Sequence, residues 1–99
     1  MRVLERDYLD PVDGRASFYH KAVYIETDAG AFLRSYNTVV AAVIGGAPVR
    51  LWDGYSQTTL RHINAFFYKY GVETVSKKEW LQMPVETLDG AAFMGFMCA

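Results

Sequence analysis

The stretch Ser56-Gln57-Thr58-Thr59-Leu60-Arg61-His62-Ile63-Asn64-Ala65-Phe66-Phe67-Tyr68-Lys69-Tyr70-Gly71 decides the fold. Leu60, Ile63, Phe67 and Tyr70 recur at spacings of three, four and three, which traces one stripe on an α-helix. Phe66 and Thr59 flank the stripe, and Arg61, Ala65, Tyr68 and Lys69 fall on the opposite side. Ser56 suits the N-cap, because its hydroxyl can accept from a free amide of the first turn. Gly71 sits where a left-handed residue closes a helix, with Val72 folding back on the last turn. Each fully buried Leu, Ile or Phe of the stripe would contribute about 1.5–3 kcal/mol, so this helix must lie against something apolar.

The preceding segments supply that surface. Val23-Tyr24-Ile25-Glu26-Thr27 alternates β-branched residues, within a β-rich run from Ala16 to Thr27 that includes Phe18, Tyr19 and His20. Asp28-Ala29-Gly30 turns the chain into a second strand, about residues 31–36, with Phe32 and Arg34 on one face and Leu33 and Ser35 on the other. Ser35-Tyr36-Asn37-Thr38 reads as a bulge or crossover. Residues 38–44 are apolar almost throughout, as in a central strand. Gly45-Gly46 signals a hairpin, and Pro48 places the following strand, Val49 to Trp52, at an edge. After the helix, Ser76-Lys77-Lys78-Glu79 has capping-box spacing for a second helix that Pro84 keeps short. Residues 85–88 suggest a last short strand, and Asp89-Gly90 a turn.

Strands followed by helices predict an α+β fold: a small antiparallel sheet of three to four strands, one amphipathic helix packed on one face and a short second helix. With 99 residues the chain is expected to be one domain, 1–99. Residues 1–15 would be an extended or irregular lead-in carrying turn signals at Asp10-Pro11 and Asp13-Gly14. Residues 91–99 would be an apolar tail that packs back or docks into a partner.

The net charge of -1 argues against duplex DNA, which needs a basic face to displace counterions. The lone cysteine, Cys98, allows no internal disulfide and suits a reducing compartment. Residues 1–10 lack a secretory apolar core, and the longest apolar run, 39–44, is far too short to span a membrane. A cytoplasmic protein with no membrane partner is expected. Aromatics make up 15% of the chain, more than a core this small can easily hide, so exposed aromatic surface for a protein partner is expected. Trp52, Tyr55 and Tyr68 are the candidate contacts, and a second copy of the chain remains open as a partner.

The densest polar cluster is Ser56, Thr58, Thr59, Arg61 and His62. Free amides and hydroxyls at a helix start, with an arginine one turn on, could hold an anion of a nucleotide or a nucleic acid. No Gly-rich phosphate loop sharpens that reading, and an ordinary N-cap accounts for the same residues. His62 and His20 read as packing histidines. With Cys98 they match no zinc spacing, so no metal and no cofactor are expected. Glu5, Asp7, Asp10 and Asp13 read as a solvated acidic stretch. No nucleophile, base and orienter stand at a recognisable spacing, so enzymatic activity ranks last, with Arg61 and His62 at its centre.

Ser35-Tyr36-Asn37-Thr38-Val39-Val40-Ala41 and Tyr55-Ser56-Gln57-Thr58-Thr59-Leu60-Arg61-His62, with Phe66 and Phe67, resemble a pattern in small uncharacterised proteins of bacteriophages and integrated mobile elements. The resemblance covers about residues 34–71. It implies a phage or mobile-element origin in a host cytosol and no activity. The function expected on this basis is binding of a host protein, for example as an inhibitor of a defence system such as an anti-CRISPR. The alternative is a nucleotide or nucleic-acid module built on Ser56 to His62.

Overall fold

In a computed structural model, residues 2–11 and 18–87 are described. Five strands form one antiparallel meander: β1 (Val3–Tyr8), β2 (Ala22–Thr27), β3 (Gly30–Ser35), β4 (Thr38–Ile44) and β5 (Ala47–Arg50), in spatial order β1-β2-β3-β4-β5. Helix α1 (Gln57–Lys69) packs on β3 and β4, and α2 (Lys77–Gln82) follows. The α+β architecture is as expected, with one more strand than the upper expectation.

The added strand is β1, expected to be extended or irregular. All six of its residues are exposed, so no buried face marks it in the sequence. The pairing of Arg6 with Ile25 and of Tyr8 with Val23 holds it to β2. Tyr24 Oη also donates to Glu5 Oε1 at 2.8 Å. That bond, with burial, pushes the Tyr24 hydroxyl up to about 12, because losing its proton would set a phenolate against the carboxylate. The turn signal at Asp13-Gly14, the tail at 91–99, Cys98, Asp89-Gly90 and Leu88 lie outside the described residues. Of the expected last strand, Val85 makes a single parallel bridge to Arg50.

The turns follow their residues. Gly45 and Gly46 both take positive φ, 61° and 79°, as a two-residue hairpin with the right-handed sheet twist requires. The Ser35–Thr38 stretch is a hairpin turn at Tyr36-Asn37 with a bulge beside it, where the β3–β4 register shifts between Leu33 and Arg34. The β-rich run begins later than expected: β2 starts at Ala22, and Tyr19 and His20 form a turn.

Alternation sends Ala22, Tyr24, Leu33, Ala41 and Val43 to the helix side, where they meet Ile63, Phe66, Phe67 and Trp80 in one core with Leu9 and Phe18. Ser56 caps α1, accepting from Thr59 N at 3.0 Å. Gly71 N donates to Tyr68 O and Val72 N to Phe67 O, the paired bonds of a Schellman end. The buried stripe is broader than the spacing alone implied, taking in Thr59, His62 and Ala65. Ala65, expected on the open side, is 2% exposed and belongs to the same core as Leu9 and Phe18.

The α2 corner is organised by one buried cation. Arg50 donates from Nε to Trp52 O at 2.8 Å and from Nη1 to Trp80 O at 3.0 Å and Met83 O at 3.2 Å. Its guanidinium lies 4.8 Å from the Trp80 ring centroid. Trp80 Nε1 donates to Gly54 O at 3.0 Å. Asn64 completes the corner with a reciprocal pair of 2.8 Å bonds to the backbone of Val75.

Candidate functional site

The polar cluster at the start of α1 is divided by the helix. Thr59 and His62 point inward, 5% and 1% exposed. Both reach Ser35 on β3: Ser35 Oγ is 2.7 Å from His62 Nδ1 and 3.2 Å from Thr59 Oγ1. Ser56 is engaged as the cap, Thr58 is exposed, and Arg61 is half-buried with its guanidinium 5.2 Å from the Phe18 ring centroid. The Ser35–His62 separation is that of a nucleophile and its base. Ser35, however, is only 3% exposed. The contact therefore acts as a polar latch between α1 and β3, with Thr59 as its third member. Burial, then the charge of Arg61, lowers the His62 imidazole to about 4, so it is neutral at pH 7.

Of the candidate aromatic contacts, Trp52 and Tyr55 are half-buried against the core. Lys77 Nζ lies 4.8 Å from the Tyr55 ring centroid. Tyr68 stands outward from α1, 66% exposed.

A different aromatic group gathers where β1 ends, β2 begins and β3 ends. Tyr8, Tyr19 and Tyr36 are 51%, 73% and 50% exposed. His20 stacks on Tyr8 with ring centroids 4.0 Å apart. Tyr19 and His20 occupy the centre of a turn closed by Lys21 N donating to Phe18 O at 2.9 Å. Their φ angles are 51° and 62°, and that of Tyr36 is 56°. Bulky L-residues take left-handed φ at a cost of about 1–2 kcal/mol each, and such strain concentrates at functional positions. These three are the only non-glycine residues with positive φ among the described residues. All are aromatic, all are exposed and all lie at one end of the sheet.

The turn is held from beneath. Tyr36 N donates to Lys21 O at 2.7 Å, tying the two strained turns together. Phe18 meets His62 edge-on at 4.4 Å, and the Tyr36 ring lies 5.8 Å from His62. The Ser35–His62–Thr59 latch therefore forms the floor of the aromatic end, and Arg61 its rim. No sequence signal for a turn exists at Tyr19-His20, which lacks the Gly, Asn or Asp that such a geometry favours. Among the described residues no group of His, Cys, Asp and Glu is placed to hold a metal ion.

Fold and surface together define a small α+β meander domain presenting an aromatic end. The chain belongs to the family of unknown function DUF8033, whose model matches residues 9–82, from the end of β1 through α2. No curated protein matches the chain, and no solved structure does. No helix among the described residues is long and apolar enough to cross a membrane.

Proposed function

We propose that this chain is a protein-binding module that docks through Tyr8, Tyr19, His20 and Tyr36, with Arg61 at the rim. The observation that carries the reading is the strained turn: exposed aromatics occupy left-handed positions that Gly or Asn would fill at lower cost. Large amphipathic rings with an arginine are the side chains that dominate interface energetics. A rigid floor lowers the ordering cost of docking. The similarity of Ser35–Ala41 and Tyr55–His62 to small phage and mobile-element proteins suggests a partner in the cytosol of a bacterial host. A component of a defence system is the leading class, which would make the chain an inhibitor in the manner of an anti-CRISPR.

The test is site-specific photo-cross-linking in host cells, with a photoreactive phenylalanine at position 36 or at Lys78 on the exposed side of α2. The reading expects one protein trapped from position 36 and none from position 78. Equal trapping from both sites, or none from position 36, would refute it. The second reading, single-stranded nucleic acid stacked on the same rings, draws on Lys21 and Arg61 beside them. It expects short oligonucleotides to bind at low salt and Arg61→Ala to weaken that binding; absence of binding removes it.

A further inference from the structure

Tyr8, which stacks on His20 at the aromatic end, also lines a cavity of about 210 Å³. Among the described residues the rest of the lining is Arg6, Asp7, Val23 and Arg34. Tyr8 on β1 and Arg34 on β3 both pair with Val23 on β2, so the three share a face, and Arg6 alternates onto it. Tyr24 and Leu33, their neighbours in sequence, belong to the core under the helices, so the cavity lies on the other face of the sheet. Val23 separates Tyr8 from Arg34 by two strand spacings, about 10 Å.

Arg34 is half-buried, and its Nε is a buried donor with no hydrogen-bond partner. A guanidinium keeps its charge at any ordinary pH, so loss of a proton cannot relieve this position. The carboxylate in the lining does not serve it either: Asp7 Oδ1 accepts from Tyr8 N at 2.7 Å. We infer that the cavity is a carboxylate-binding site, and that it receives an Asp or Glu side chain of the protein docked on the aromatic end. The second half of that inference rests on the docking reading above; Tyr8, common to both surfaces, joins them. A carboxylate matches the planar fork of a guanidinium and takes two parallel N–H bonds, one of them from Nε. The two arginines and one aspartate of the lining leave a single positive charge, which suits a carboxylate better than a doubly charged phosphate. Val23, 3% exposed, gives the aliphatic stem of such a side chain an apolar contact.

The probe is N-acetylglutamate N-methylamide, one carboxylate on an otherwise neutral frame. It is added to the isotope-labelled full chain while the Nε–Hε signal of Arg34 and the methyl signals of Val23 are followed by NMR. Both should shift saturably, and N-acetylglutamine N-methylamide should move neither. Arg34→Gln should weaken the Val23 response about tenfold, the worth of a hydrogen bond to a charged group. No response at the solubility limit of the probe, or an equal response to the glutamine form, would overturn the inference. Tighter binding of inorganic phosphate would overturn the carboxylate assignment. Cross-linking from position 36 then separates this inference from the docking reading. The partner trapped by the parent chain should be lost in Arg34→Gln, and parent-level trapping would remove the cavity from the interface while docking stands. A saturable glutamate response with no partner trapped by the parent would sink the docking reading and keep the carboxylate site. Arg34 Nε gives no bond to the fold, so Arg34→Gln should melt with the parent. If it melts lower, Arg34→Lys, which keeps the charge but not the fork, repeats the comparison.

Discussion

Replacing Arg50 by Met tests the account of the α2 corner. Arg50 is 4% exposed, and its hydrogen-bond partners are the carbonyls of Trp52, Gly54, Trp80, Leu81 and Met83. Three of these bonds are strong by length, 2.8, 3.0 and 3.2 Å, and the bonds to Leu81 and Gly54 are longer, at 3.4 Å. Several accepting groups belong to the last turn of α2 and the residue after it, at the negative end of the helix dipole, and Trp80 O accepts from Met83 N at 3.2 Å as well. Met keeps much of the aliphatic stem over Trp80 but supplies no donor. A buried acceptor left unpaired costs about 1–3 kcal/mol. Trp80 O keeps its bond from Met83 N and Gly54 O its bond from Trp80 Nε1, so the carbonyls of the half-buried Trp52 and Met83 bear most of the loss. The expected loss is about 3–5 kcal/mol. In urea, with a slope near 1–3 kcal/mol/M for a domain of this size, the midpoint should fall by about 2 M. Lys at this position places one compact charge and cannot span from Trp52 O to Trp80 O, so Arg50→Lys should recover only part of the loss. An Arg50→Met midpoint within the equivalent of about 1 kcal/mol of the parent would refute the reasoning.

Two further outcomes follow from the same packing. His62 is held at about 4 in the folded chain against an ordinary 6.5, so the unfolded chain binds more protons between those values. Stability should be full above pH 6.5 and fall as pH drops toward 4, by ~1.4 kcal/mol per pH unit and about 3 kcal/mol in all. His62→Gln should flatten that part of the profile, and parent and variant denaturation curves of identical pH slope would contradict it. A Cβ at Gly54 would overlap the Trp52 indole, so Gly54→Ala should destabilise by about 1–3 kcal/mol in thermal melts, and an unchanged midpoint would count against the packing described.

The order of strands and helices was legible in the sequence because turn chemistry and periodicity agreed locally. Ser56, the Leu60–Tyr70 stripe and Gly71 define α1 with little ambiguity, and the Gly45-Gly46 turn takes the geometry its residues favour. Strand β1 was harder to read, since an exposed edge strand has no buried face to impose alternation and is stabilised by its partner's backbone and by Tyr24. The surface was less legible still. Tyr19-His20 violates the residue preference of its own turn, so local rules point away from it. The Ser35–His62 contact joins residues 27 positions apart that only the packing of α1 on β3 brings together. By residue type Trp52 and Tyr55 suit partner contact or partial burial alike, and both are half-buried against the core.

If the aromatic turn is retained for docking rather than for folding, relieving its strain should improve the fold and abolish the contact. Tyr19→Asn/His20→Gly gives the turn residues suited to positive φ, worth about 1–2 kcal/mol per position, against about 0.5–1.5 kcal/mol lost with the Tyr8–His20 stack. The measurement is the melting temperature of this variant, taken together with photo-cross-linking from position 36. A higher melting temperature with the cross-linked partner gone is the expected result. A lower melting temperature with the partner still trapped would mean that Tyr19 and His20 serve the fold and that docking takes place elsewhere.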